Sequence, residues 1–279
     1  MLLIVVFSFI KTKMIKKRGW DVKFLLSTDT LTWFWLDLIF QTAKDAWFDW
    51  LDLAIWKNFD TWNIRYVRKL VDKYDFPIKV IQTSPKLNKK EMDKALDLCE
   101  ALNVDTLCIN APKFFDYKTY YFIRDNIELY KSKNKDIKFS IINPSNSYFP
   151  PFSVIPKYRF NNIVEIIKKY GCNLWLDIAW MDLDLFESDF LRRVDRFVPY
   201  VSNLYLSDAN SKNTHLFPWE WEMKIPELLR RFKREWYSRF ISLKVNISKV
   251  DLADPDKIDL LFRKAVNYYK DYYVEAKVD

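Results

Sequence analysis

The chain has 279 residues, enough for two average domains or for one α/β barrel of about 250 residues. Half of it is apolar and 29% is charged, with a net charge of +8, so a large core is available and wholesale disorder is excluded. Three cysteines (Cys99, Cys108, Cys172) with no CxxC pair exclude a disulfide framework and a thiolate zinc cluster, and a single histidine, His215, excludes a multi-histidine metal site.

Residues 1–21 read as an N-terminal extension, with Met14 as an alternative start, and residues 22–279 as one domain. The apolar run over 1–10 is shorter than the roughly eighteen residues of a spanning helix, and no small-residue cleavage site follows it. A cytoplasmic protein without membrane contact is therefore expected. Short β-branched and apolar runs predict strands over 22–28, 48–54, 78–83, 106–111, 137–143, 173–178, 201–207 and 240–246. Helical patterns fall between them, over 36–46, 63–74, 89–102, 117–133, 160–170, 187–200 and 225–236, and a last one covers 255–273. Asn88 with Glu91 predicts a capping box, and Asp254-Pro255 an N-cap with proline at the first helical position. Eight strand–helix units predict a single (β/α)8 TIM barrel. A doubly wound sheet is disfavoured because no G-x-G-x-x-G follows any strand. The longest loop, 143–157, carries prolines at 144, 150, 151 and 156 and leaves the C-terminal end of the fifth strand, where barrel enzymes build their sites.

Glycine is nearly missing: Gly19 and Gly171 stand alone, where average usage of about 7% would give about twenty. Twelve tryptophans are present, many where a turn asks for glycine. A helix ending at Ala46 wants a next residue that tolerates positive φ, and Trp47 stands there. Trp20, Trp33, Trp35, Trp47, Trp50, Trp175, Trp219 and Trp221 are accordingly candidates for UGA codons that the source cell reads as glycine; Trp56, Trp62 and Trp236 sit in contexts that need none.

The basic residues are spread over nearly every helix, as in Lys89-Lys90 and Lys168-Lys169, which is the pattern of a solvated outer face. Arg230-Arg231-Phe232-Lys233-Arg234 is the densest segment, but helix faces lie far from a barrel mouth, so nucleic acid is not the expected partner. Tyr268, Tyr269, Tyr272 and Tyr273 suit packing or a homo-oligomer contact.

Residues 43–53, AKDAWFDWLDL, read with glycine at 47 and 50, resemble the second-strand signature of the xylose isomerase-like barrel superfamily. Leu174–Asp177 and Asn203–Asp208 resemble its sixth and seventh strands, and His215–Trp221 its H-x-x-x-G-E-G segment. The resemblance implies a sugar or sugar-phosphate isomerase or epimerase; apurinic-site endonucleases share the superfamily. It also implies a divalent ion (Mn, Mg, Zn or Co) held by carboxylates and histidines of strands five to eight, which polarises a carbonyl or phosphoryl oxygen. Carried over, the fifth-strand glutamate falls at Ile142 or Asn143, the sixth-strand aspartate at Asp177, and the histidine three residues on at Trp180. The seventh-strand histidine falls at Tyr205 and the eighth-strand glutamate at Lys244, with Asn213 where the endonuclease branch has aspartate. Asp177 and a remote His215 would be the only metal ligands, so no cofactor is expected.

Lys244 then stands where its charge replaces the metal, with Asp177 as partner and base and Tyr205 as a nearby acid. Gln82, Asn110, Asn143 and Asp208 end strands and are expected to line the mouth, with His215 and Glu220 as further substrate contacts, Glu220 alternatively anchoring its own loop. The expected function is binding of a small sugar or sugar phosphate at the C-terminal mouth with metal-free or lost catalysis. The alternative is a non-catalytic sugar-binding or interaction protein on the same fold.

Overall fold

The computed structural model of the chain describes residues 22–111, 116–143, 147–148, 154–155, 168–181, 183–220 and 223–277. Eight parallel strands close into a barrel: β1 (Lys23–Ser27), β2 (Trp50–Ala54), β3 (Ile78–Gln82), β4 (Thr106–Ile109), β5 (Lys138–Ile142), β6 (Asn173–Asp177), β7 (Val201–Leu206) and β8 (Phe240–Leu243). Each pairs with its sequence neighbours, and β1 closes on β8 through Lys23↔Phe240 to Leu26↔Leu243. All eight predicted strands are present, and the fold is a (β/α)8 TIM barrel. The N-terminal extension and the loop over 144–146 lie outside the described residues, as does most of the predicted helix over 160–170.

The helices are α1 (Leu36–Asp45), α2 (Ile64–Tyr74), α3 (Lys89–Leu102), α4 (Tyr117–Lys133), α5 (Ile225–Arg234) and α6 (Pro255–Tyr269). Several of their starts follow from single side chains that satisfy orphan amide groups, whereas α5 begins with proline in its first turn and no side-chain cap. Asn88 accepts from the Glu91 amide at 3.1 Å and Asp254 from the Lys257 amide at 3.1 Å, while Asp60, from the loop after β2, caps α1 by accepting from Leu36 N–H at 2.8 Å. Two helices differ from expectation. The crossover between β6 and β7 is not one helix over 187–200 but a chain of short turns, with a π-turn at Phe186–Phe190 and 3-10 turns at Val194–Arg196 and Val198–Tyr200. Repeated changes of pitch bring Phe186, Phe190 and Phe197 into one buried stack, with ring centroids about 6 Å apart. Likewise α6 ends at Tyr269 and continues as a π-turn over Lys270–Val274, which buries Tyr273.

Strand alternation sorts side chains into two layers. Outward residues such as Leu26, Leu53, Ile81, Leu107, Leu176, Leu204 and Leu243 pack under the helices in one continuous core. Inward residues Leu25, Val80, Cys108, Ile142, Trp175 and Tyr205 fill the lumen. The lumen is also polar: Asp52 accepts from Gln82 at 2.7 Å and from Asn203 at 3.2 Å, Gln82 reaches Ser27 at 3.0 Å, and Ser242 donates to Asn203 at 3.0 Å. Burial of this carboxyl prevails over its three hydrogen bonds and the Lys244 charge, and pushes its pKa up to about 7.

Four helix-to-strand corners are built alike. Phe48, Phe76, Val104 and Tyr237 each donate an amide hydrogen bond to the carbonyl five residues back, at 3.1, 3.2, 2.8 and 3.1 Å. The residue before each has positive φ: Trp47 (68°), Asp75 (46°), Asn103 (53°) and Trp236 (58°). This is the Schellman closure, which requires a left-handed residue. Trp236, expected to need no glycine, is thereby corrected: its backbone makes the same demand as Trp47.

Candidate functional site

The strand order brings the C-terminal ends of β1, β6, β7 and β8 side by side, and ionisable side chains from several segments meet there. Asp177, last residue of β6, is fully buried, and its Oδ2 lies 2.9 Å from His215 Nε2 and 3.2 Å from Lys244 Nζ. Lys244, just past β8, also stands 3.7 Å from Asp29 Oδ2, and Asp29 is paired with Lys57 at 2.8 Å. The result is a run of neighbouring ionisable groups: Lys57, Asp29, Lys244, Asp177 and His215. Trp180 and Tyr205 flank the Lys244 ammonium, each ring centroid 4.7 Å from Nζ, which holds it by cation–π attraction. Burial alone would raise the Asp177 carboxyl; the His215 and Lys244 charges and their hydrogen bonds outweigh it and hold the carboxyl below the usual aspartate value.

His215 comes from a two-stranded ribbon after β7, in which Thr214–Leu216 pairs antiparallel with Asp208–Ala209. Far from remote, it is the nearest imidazole to Asp177, and Trp180 packs edge-on against its ring at 5.9 Å. Its φ is +59°, and unlike the four corner residues it ends no helix. Backbone strain of this kind persists where surrounding structure enforces it, characteristically at functional sites. Among the described residues, Asp177 Oδ1 and Ser207 Oγ are buried with no hydrogen-bond partner. The Tyr205 hydroxyl, although beside Ser27, makes no geometrically complete hydrogen bond, and burial pushes the phenol well above its ordinary value, so it stays a neutral O–H.

The remaining expected residues divide into two groups. Asn143 braces the site: its Oδ1 accepts from Asp177 N–H at 2.6 Å and its Nδ2 donates to the Asp177 carbonyl at 2.9 Å. Gln82 belongs to the lumen network around Asp52. Asn110 donates to the Thr83 carbonyl at 2.6 Å, Asp208 accepts from the Ala209 amide at 2.8 Å, and Glu220 accepts from the Phe217 amide within its own loop at 2.8 Å. None of these three hydrogen bonds involves Asp177, His215 or Lys244. Asp29 and Lys57 were not expected from the sequence. The signal available for Asp29 was its place in the polar run Ser27–Thr30 at the end of β1, the same strand-end rule that singled out Asn110 and Asp208.

Among the described residues, the donors around Asp177 are largely committed to one another. Asn143 spends both ends of its amide on the Asp177 backbone. The shared oxygen of Asp177 already faces an ammonium, whose positive charge opposes a second cation at that point. Among the described residues no group of three or more His, Cys, Asp or Glu side chains converges as a metal site would need.

No family model and no curated protein matches the chain. Solved structures do. A xylose isomerase domain-containing protein from Salmonella typhimurium superposes with a TM-score of 0.67 at 15% identity, covering 88% of this chain and 97% of that one. An L-ribulose 3-epimerase gives 0.62 at 10% identity, over 91% and 95% of the two chains. The IolI protein, solved with a bound zinc atom, gives 0.63 at 11% identity, over 90% and 99%. With eight parallel strands closed in one barrel and these structures covered almost end to end, the chain has the fold of the xylose isomerase-like barrels.

Proposed function

We propose that the protein binds a small sugar or sugar phosphate at the C-terminal mouth and moves a proton on it without a divalent metal. The observation that carries this reading is the Lys244–Asp177–His215 cluster, in which one carboxylate oxygen of Asp177 has no partner among the described residues. A buried acceptor without a partner costs free energy that a ligand hydroxyl or C–H acid relieves on binding. In the proposed reaction, Lys244 donates a hydrogen bond to the substrate carbonyl oxygen, which becomes the enediolate oxygen. Asp177 Oδ1 takes the proton from the neighbouring carbon. His215 and the Asn143 amide hold the carboxylate in place, and the neutral Tyr205 hydroxyl gives a second donor to the developing oxyanion. Return of the proton to the former carbonyl carbon, with the hydroxyl proton of the neighbouring carbon passing to the former carbonyl oxygen, completes an isomerisation; return to the same carbon from the other face, by solvent, completes an epimerisation.

One observation favours the binding-only alternative: a carboxylate held low by its His215 and Lys244 partners is a weak base. A panel of aldoses, ketoses and their phosphates, followed by calorimetry and by solvent deuterium incorporation, separates the readings. The expected result is binding with deuterium entering the substrate, the exchange lost in Asp177→Asn, and binding weakened about 10- to 100-fold in Lys244→Met, as for loss of one charge-assisted hydrogen bond. Binding with no exchange assigns the site to the non-catalytic class. Exchange that appears only with added Mn, Zn or Co overturns the metal-free mechanism.

A further inference from the structure

Four corners of the barrel make the same hydrogen bond around a left-handed residue, yet two carry Asp75 and Asn103 and two carry Trp47 and Trp236. Gly171, two residues before β6, is left-handed as well, with φ of 53°. Asn, Asp and Gly are the residues this conformation selects: glycine has no Cβ to clash, and the short polar side chains hydrogen-bond locally. Tryptophan has neither property. Nor does burial compensate, since Trp47 is 59% and Trp236 56% exposed. The Trp47 ring lies beside Arg263 at 4.2 Å and Lys270 at 5.8 Å, contacts that a surface ring finds wherever cations are near. The whole chain meanwhile holds two glycines and twelve tryptophans.

We propose that the protein carries glycine at positions 47 and 236 as its own cell makes it, through UGA codons read there as glycine. UGA differs by one base both from UGG, the tryptophan codon, and from GGA, a glycine codon, so one reassigned codon accounts for surplus and deficit together. Backbone demand singles out these two positions. Trp175 and Trp50 lie in extended strand, which any residue adopts, and stand outside the proposal. The corners are at the N-terminal ends of β2 and β8, away from the mouth, so the inference does not depend on the functional reading.

The test begins with the gene. UGA is expected at both codons, and UGG at either overturns the proposal. The second step is mass spectrometry of peptides from the protein isolated from its own cells, not from a heterologous host. Peptides spanning 47 and 236 with glycine are the expected result; tryptophan at either position overturns it whatever the codon. As a measurement independent of the source, Trp236→Gly in the chain as written should raise the melting temperature, whereas Asn103→Ala, at the matching corner, should lower it. A melting temperature lowered by Trp236→Gly counts against the proposal.

Discussion

At the scale of single residues, the site turns on what Asp177 faces. Its carboxylate lies at a strand end where an ammonium and an imidazole arrive from different segments, Lys244 from the end of β8 and His215 from the ribbon after β7. Removing the ammonium leaves a buried carboxylate with only the imidazole. Lys244→Met is therefore expected to cost about 2 kcal/mol, the range for a hydrogen bond to a charged group, measured as a shift in urea midpoint at constant m-value. Lys244→Arg keeps the charge, but its planar fork has to fit between the Trp180 and Tyr205 rings, so it should recover only part of that loss.

At the scale of elements, caps and corners set where helices begin and end. Asn88→Ala removes the acceptor for the Glu91 amide and should cost about 1 kcal/mol. At the corners the ordering is set by Cβ strain. Trp236→Gly is expected to stabilise by about 1 kcal/mol, the lower end of the left-handed penalty, which for a chain of this size moves the melting temperature by about 2 °C. Trp47→Gly should gain less, because the ring contact with Arg263 is lost. Asn103→Gly should change stability by only a few tenths of a kcal/mol, since asparagine already tolerates the conformation.

At the scale of the whole molecule, the polar lumen gives stability a pH dependence. Asp52 has a pKa near 7 in the folded barrel against 3.8 for the ordinary group, so between about pH 4 and pH 7 the native state holds a proton that the unfolded chain has released. Stability from this group is fully present below pH 4 and is lost as pH rises through 7. Asp177, held below 3.8, works in the opposite sense: its contribution is present above that value and is lost on acidification. Denaturant midpoints from pH 4 to 8 should show the protein losing stability relative to Asp52→Asn as pH rises; a difference independent of pH would refute the buried, protonated carboxyl.

The eight-unit barrel was legible in the sequence because both of its signals are local. Alternation and helical spacing record which face each segment buries, and Asn88, Asp254 and Pro255 mark helix starts within one turn. The composition likewise exposed the glycine deficit and the corner at Trp47, yet not the equivalent corner at Trp236, whose need shows only in its φ. The helical crossover before β7 was legible as helical but not as broken, because its pitch answers to the stack of Phe186, Phe190 and Phe197. The family resemblance pointed to Asp177, Tyr205 and Lys244. The tertiary structure alone decided that His215 folds back onto Asp177, and that Asp29, more than two hundred residues from Lys244, completes the run of ionisable groups. Such pairings depend on closure of β1 against β8 and on the path of one ribbon, and no periodicity along the chain encodes a distance between residues so far apart.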